Sequence, residues 1–184
     1  MADSILSSEA SEPMAAAAGI KAALREKPDA VLDFIARDVG VSLNDVIICL
    51  PEREVLSLPG ASFDQVMKGV SSLGQVTFIV HTEDIVLECK GDVPEGSYGR
   101  GYYNIHGDSP IGGHIKAENC GSIHFVTREM MGRLSYALVF CNQQGHAMFK
   151  IYLGRDENRE LFPEQVQKFE DLRSELHAAH HQSS

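Results

Sequence analysis

The sequence predicts an α+β domain in which helices come first, a mostly antiparallel sheet follows, and one helix closes the chain. Apolar residues recur at helical spacing before residue 75, whereas over 75–154 they alternate or form short β-branched blocks between turn signals. The connections in the second region are short, and a parallel neighbour would need a crossover of a dozen or more residues. We therefore expect a meander of about seven or more strands.

Four helices are predicted in the first part of the chain. The segment 14–27 is rich in Ala, Leu, Lys and Glu, which are strong helix formers. The segment 28–40 begins with a proline that suits a first turn and ends with a glycine stop. Ser42 is the expected cap of a short third helix, and the spacing of Ser62 and Gln65 predicts a capping box at the start of a fourth.

Seven strands are expected after these helices, near residues 75–82, 84–91, 98–106, 113–118, 121–128, 134–142 and 146–153. Gly- and Asp-containing turns separate them. An amphipathic helix over 163–177 follows, with Val166, Phe169, Leu172 and Leu176 on one face.

The domain organisation follows from these elements. Residues 1–13 are polar and acidic and predict a disordered tail. One domain is expected over 14–178, with a helical part at 14–74, a sheet part at 75–154 and the C-terminal helix. Residues 179–184 are expected to be a polar tail.

Composition excludes several classes of protein. The net charge of -10 disfavours binding to a phosphate backbone, and the helix-turn-helix pattern within 30–50 has no Arg or Lys in its second helix. The chain has no basic leader and no apolar run near 18 residues, so we expect a cytoplasmic protein that does not span a membrane. Its four cysteines are too widely spaced for a CxxC motif and are expected to be reduced core residues.

The histidines are the most informative candidates for ligand binding, because five of eight lie between residues 81 and 146. A single histidine on a strand is more often a satisfied polar neighbour than a ligand. Alternation places His81 on the strand face shared with Thr77 and Ile79. His114 follows Gly112 and Gly113, where missing side chains let a flat ligand approach the backbone. Neither histidine has the ligand spacing of a zinc site.

Three stretches resemble one known family. They are "HTEDIVLECKG", "GYYNIHGDSPIGGHIKAENCGSIHFVTREMMGR" and "AMFKIYLGRDENRELFPEQVQKF". In this order and spacing they resemble the intracellular haem utilisation proteins of the HutX and ChuX type, over about residues 22–176. The resemblance implies a homodimer whose subunit looks like one half of the two-repeat haem proteins of the HemS and ChuS type. It also implies that haem b is bound through His81 and His114.

Such a ligand makes chemical sense for these residues. Neutral imidazole is a common axial ligand of haem iron, and the two propionates seek cationic or N–H groups. Arg100, Lys116 and Arg133 are the expected propionate contacts, because they lie near the motif in sequence. Gly112 and Gly113 are expected to make room for the porphyrin beside His114.

Two functions follow from the resemblance. The first is a carrier that holds haem after uptake and delivers it to a haem-degrading enzyme for iron acquisition. The second is a haem-degrading enzyme of the HemS and ChuS type, and nothing in the sequence excludes it. We expect the carrier, with no catalytic residue assigned.

Overall fold

The described chain has three α-helices, a short strand and a fourth α-helix, followed by eight strands and a final α-helix. The computed structural model describes residues 11–182, with side chains from Met14 to His180. Within these residues the helices are α1 Ser11–Glu26, α2 Leu32–Val39, α3 Leu43–Ile47, α4 Phe63–Val70 and α5 Pro163–Gln182. The strands are β1 Val55–Pro59, β2 Val76–His81, β3 Val86–Gly91, β4 Ser97–Gly99, β5 Tyr102–Ile105, β6 Gly113–Ile115, β7 Cys120–Met130, β8 Arg133–Asn142 and β9 Ala147–Leu153.

Six strands form the main sheet in the order β1-β7-β8-β9-β2-β3, and every neighbouring pair is antiparallel. Strands β7, β8 and β9 follow one another through tight turns, as a meander does. The β2–β3 hairpin joins the far side of β9, so β3 forms one edge of the sheet and β1 the other. The predicted α+β class with an antiparallel sheet is therefore confirmed.

Each face of the main sheet has its own hydrophobic core. One core lies under α4 and α5 and includes Phe125, Phe140 and Phe169. The other lies under α1, α2 and α3 and includes Ile35 and Ile47. Because side chains alternate along a strand, each strand residue is committed to one of these two faces.

A small sheet of β4, β5 and β6 covers part of the α4 side. Tyr103 of β5 packs edge-on against Phe63 of α4, with ring centroids 5.3 Å apart. The backbone N–H of Gly96 donates to the Tyr103 hydroxyl at 2.9 Å. The hydroxyl of Tyr98 donates to the Asp64 carboxylate at 2.5 Å. The Tyr103–Phe63 and Tyr98–Asp64 contacts attach the small sheet to the first turn of α4.

The structure has more strands than the sequence pattern predicts. Strand β1 lies inside the segment predicted to be helical, because an edge strand of five residues that ends in Pro59 gives too short an alternation to recognise. The expected strand 98–106 is instead the hairpin of β4 and β5. Its turn contains Arg100 at φ 55° and Gly101 at φ 78°, which no extended strand allows.

The helix boundaries are partly as predicted. Ser42 caps α3 through a capping box, since its hydroxyl accepts from the N–H of Asp45 at 3.2 Å and its own N–H donates to that carboxylate at 3.0 Å. The capping box predicted at Ser62 is wrong, because that side chain makes no capping hydrogen bond. Helix α5 continues to Gln182, so residues 179–182 of the expected polar tail are helical. The disordered tail expected over residues 1–13 is wrong for residues 11–13, which belong to α1, and its first ten residues lie outside the described residues.

Candidate functional site

Strand β2 separates the two candidate histidines. Along this strand Thr77, Ile79 and His81 face the α1–α3 side, and Phe78 and Val80 face the α4 side. His114 lines a groove together with Phe78 and Val80. The two imidazoles therefore open into different grooves on opposite faces of the main sheet, and one chain does not bring them to a common point.

His81 is held by a carboxylate from a helix. Its Nδ1 lies 3.2 Å from Oδ1 of Asp33 in α2, and the His81 side chain is only 17% exposed. The other oxygen of Asp33 contacts Nζ of Lys150, a lysine of β9 that is almost fully buried. The Phe34 ring meets the imidazole edge-on at 6.4 Å.

The groove beside His81 has a volume of about 520 Å³. Its lining contains both apolar and charged side chains. The apolar residues include Val31, Phe34, Ile79, Met130 and Met131, and the cationic ones include Lys90, Arg155 and Arg159. Glu88 and Asp156 also line the groove, so charges of both signs accompany its apolar walls.

His114 is held by an amide from the neighbouring strand. In the β5–β6 register Asn104 lies opposite His114, and Oδ1 of Asn104 is 2.6 Å from Nδ1 of His114. The imidazole is exposed and has the rings of Tyr102 and His106 at 6.0 and 5.6 Å. One nitrogen of this ring is thus committed to Asn104.

The groove beside His114 has a volume of about 430 Å³ and is lined mainly by apolar side chains. Gly112 and Gly113 also line this groove. Gly113 has φ 150°, a conformation that side chains rarely adopt, although a Cβ there would meet no atom within 4 Å. The glycine is therefore required by the backbone conformation more than by space. A Cβ on Gly112 would lie 3.4 Å from the carbonyl oxygen of Ile105.

The three cations expected to contact the haem propionates do not lie at one groove. Arg100, in the β4–β5 turn, lines the pocket around His114. Lys116 lines the His114 groove, with its Nζ 4.8 Å from the Tyr102 ring centroid and 3.3 Å from the Glu118 carboxylate. Arg133 instead begins β8, and its guanidinium donates to the carbonyl of Arg159 at 3.4 Å, beside the His81 groove.

Several residues of these grooves were not predicted. Asp33 and Lys150 lie 48 and 69 positions from His81 in sequence, and no local pattern connects them. Asn104 had a usable signal, because a β5–β6 hairpin with known ends places it directly opposite His114. Arg155 and Arg159 follow β9 in a loop whose direction the sequence does not specify.

The other described histidines of the sheet region have different environments. His124 is 1% exposed, and its ring nitrogens contact the hydroxyls of Ser57 and Ser122 at 2.8 and 2.9 Å. Burial lowers the pKa of His124 to about 4. His146 is exposed. In the part of the chain that the structure describes, no group of three or more His, Cys, Asp or Glu side chains is arranged to hold a metal ion.

These features define a class of protein. It is an α+β protein with two imidazoles on opposite faces of an antiparallel sheet, each beside a groove with apolar and charged side chains. The chain belongs to the ChuX/HutX haem utilisation family, whose model matches residues 56–172. The resemblance seen in the sequence is therefore confirmed.

Individual relatives agree with this assignment. The chain is 36% identical over 153 residues to the intracellular heme transport protein HutX of Vibrio cholerae, covering 83% of this chain and 79% of the relative. It is 39% identical to the heme binding protein ChuX, with a TM-score of 0.78, covering 85% of this chain and 98% of ChuX.

The likeness to the larger haem proteins concerns the fold. The heme degrading enzyme ChuS of Escherichia coli O157:H7 matches with a TM-score of 0.63 at 11% identity, covering 75% of this chain and 41% of ChuS. The expectation that the subunit resembles one half of such a protein is confirmed. No helix among the described residues is long and apolar enough to cross a membrane.

Proposed function

We propose that this protein binds haem b inside the cell, carries it and delivers it to a haem-degrading enzyme. One observation carries the proposal. Both candidate ligands, His81 and His114, have Nδ1 in contact with a fixed oxygen, which leaves Nε2 to meet iron beside a groove. The name of the 36% identical relative, an intracellular heme transport protein, supports both the ligand and the location.

The sizes and linings of the grooves support haem as the cargo. Volumes of about 520 and 430 Å³ lie within the range of roughly 300–1,000 Å³ that small-molecule sites occupy. A porphyrin needs apolar walls for its faces, which Phe34 and Met130 offer on one side of the sheet and Phe78 and Met148 on the other. Within one chain, each iron would have one of the two histidines.

Cations for the propionates are available at both grooves. Arg100 and Lys116 lie at the His114 side, and Lys116 forms only a partly exposed ion pair with Glu118 that a propionate can replace. Arg155 and Arg159 lie at the His81 side, and Arg133 reaches that side through the Arg159 carbonyl. We propose that Arg100 and Lys116 serve a haem on His114, and that Arg133 belongs with the His81 groove.

Release of the cargo fits a carrier. His114 is exposed and its pocket is open, so a ligand bound there stays accessible to an acceptor protein. A single histidine per iron within one chain holds haem less firmly than two strong ligands in a closed site. We therefore propose delivery to a second protein as the outcome of binding.

Titration with hemin tests the proposal. We expect a Soret band typical of histidine ligation in the wild type, and a changed band with weaker affinity when His81→Ala or His114→Ala removes a ligand. His146→Ala is the matched control, because His146 is an exposed histidine that lines neither groove. A wild-type spectrum from the double variant His81→Ala/His114→Ala would refute these ligands.

Incubation of the haem complex with ascorbate separates carriage from degradation. A carrier leaves the Soret band intact when catalase removes peroxide, and it loses its haem to an apo-acceptor such as apomyoglobin. Formation of a linear tetrapyrrole in the presence of catalase would show a degrading enzyme instead.

A further inference from the structure

We propose that Asp33 and Asn104 are positioning residues that fix which nitrogen each histidine presents to iron, and that they make the two ligands chemically unequal. Asp33 gives His81 an anionic partner, whereas Asn104 gives His114 a neutral one. His81 is then the stronger donor to ferric iron, and His114 the weaker, exchangeable one. This inference rests on the proposed function, because it concerns the same two histidines.

The carboxylate of Asp33 determines the tautomer of His81. Nδ1 of His81 lies 3.2 Å from Oδ1 of Asp33. A carboxylate oxygen has no proton to donate, so a lone pair on Nδ1 would be repelled there and the neutral imidazole favours its proton on Nδ1. The lone pair then lies on Nε2, the nitrogen that remains for the groove. Metal-binding histidines commonly donate their second N–H to a carboxylate in this way, which raises the basicity of the ligand.

Lys150 holds that carboxylate in place. Its ammonium contacts the second oxygen of Asp33, and the lysine is 3% exposed. Asp33 belongs to α2 and Lys150 to β9, so the ion pair connects the helix to the sheet beneath His81. With its second oxygen held by Lys150, the first oxygen of Asp33 stays turned toward Nδ1 of His81.

The amide of Asn104 is oriented just as firmly. Its Nδ2 donates to the carbonyls of Ser97, Gly99 and Tyr102, each at 3.1 Å. A flipped amide would place oxygen against three carbonyl oxygens, so Oδ1 must face His114. The neutral imidazole of His114 therefore donates from Nδ1 at 2.6 Å and leaves Nε2 free.

The difference between the two partners has a consequence for haem. A hydrogen bond to an anion transfers more negative character to the imidazole than one to an amide. An imidazole with more negative character favours ferric over ferrous iron. Haem should therefore rest on His81 in the ferric state, while His114, which is exposed, suits arrival or departure.

Asp33→Asn in a His114→Ala background tests the inference on haem bound through His81. We expect the affinity for ferric hemin to fall about 10- to 100-fold, as for other losses of a ligand's hydrogen-bond partner. The affinity of ferrous haem should fall less, and each tenfold difference corresponds to a rise of about 59 mV in the midpoint potential. The iron–imidazole stretching frequency of the ferrous complex should also decrease.

Asp38→Asn is the matched control. Asp38 is another carboxylate of α2, but it is exposed and pairs with Lys27 and Arg37 rather than with a histidine. Asp38→Asn removes the same charge from the same helix as Asp33→Asn, and it should leave the midpoint potential and the stretching frequency unchanged.

Nitrogen NMR spectra of the imidazole rings in the apoprotein test the tautomers of His81 and His114 without haem. Under conditions in which both imidazoles are neutral, His81 and His114 should carry the proton on Nδ1, and Asp33→Leu or Asn104→Ala should remove that preference from the adjacent ring alone. Nε2–H tautomers in the wild type would overturn the inference.

The outcomes distinguish the two proposals. If hemin binds through His81 and Asp33→Asn changes neither potential nor stretching frequency, the positioning role is wrong and the carrier function stands. If no histidine-ligated spectrum forms with wild-type protein, the proposed function fails and the unequal-ligand inference fails with it.

Discussion

Single residues decide whether a histidine of this chain is a ligand candidate or part of the core. His81, His114 and His124 all lie on strands, and Nδ1 of each contacts an oxygen atom of a neighbouring side chain. His124 also uses Nε2, which contacts Ser122 at 2.9 Å and Asn44 at 3.1 Å. Among the described residues, Nε2 of His81 and of His114 makes no side-chain hydrogen bond of this kind. The sequence shows the three histidines alike, and only their neighbours separate them.

The buried His124 predicts a loss of stability in mild acid. Its pKa is lowered from 6.5 to about 4, so the unfolded chain binds more protons than the native one between these values. Stability from this group is complete above pH 6.5 and is lost as pH falls toward 4. From pH 7 to pH 5 we expect the free energy of unfolding in urea to fall by about 2 kcal/mol through this residue.

The control for this prediction is the variant His124→Asn, which keeps hydrogen-bonding groups but does not titrate. Between pH 7 and pH 5 its free energy of unfolding should fall by about 2 kcal/mol less than that of the wild type. Equal pH dependence in wild type and variant would show that another group is responsible.

At the scale of elements, the sequence predicted which face of β2 carries His81, but it did not predict which helix covers that face. The sequence places His81 with Thr77 and Ile79, and the structure has that arrangement. The element that covers this face is α2, which begins 49 positions earlier at Leu32. Asp33 reaches His81 only because α2 packs on the sheet beside β9, and no local periodicity specifies such a packing.

Element junctions also depend on glycine where two backbones meet. Gly60 begins a 3-10 turn after β1, and a Cβ there would lie 1.9 Å from the carbonyl oxygen of Cys120 at the start of β7. We expect Gly60→Ala to destabilise the protein by about 1–3 kcal/mol or more, because a carbonyl of the sheet cannot move aside easily.

Gly19→Ala is the comparison. Gly19 lies within α1, and its nearest neighbour to a Cβ would be Val39 at 3.8 Å. Alanine is favoured over glycine in a helix by about 1 kcal/mol, so this variant should raise the melting temperature. Equal melting temperatures for the two variants would contradict the account of Gly60.

At the scale of the whole molecule, the main sheet has one candidate ligand on each face, and β3 is an edge strand with no neighbouring strand on one side. Ile85, Val86 and Leu87 are each more than half exposed at this edge. Large apolar side chains in a row on an unpaired edge strand favour association with another surface. We therefore propose that the β3 edge takes part in the homodimer that the family resemblance implies.

Sedimentation of the apoprotein tests the homodimer. We expect twice the chain mass of 20.2 kDa at micromolar concentration. Leu87→Lys should shift the equilibrium toward monomer. Ile48→Lys is the matched control, because Ile48 is as exposed as Leu87, at 57%, but lies at the end of α3. A monomeric wild type would reject the homodimer, and a dimer unaffected by Leu87→Lys would reject the β3 edge.

The sequence by itself determined the α+β class, the antiparallel sheet, the capping of α3 by Ser42 and the family of the chain, but not β1 or the β4–β5 hairpin. These properties depend on local periods, short connections and motif spacing, which neighbouring residues carry. Tertiary structure decided that His81 and His114 open on opposite faces, that Arg133 lies away from His114, and that Asp33 and Asn104 hold the imidazoles. Such contacts depend on which helix covers which face of the sheet, and that choice is made by the packing of the whole core rather than by any one segment.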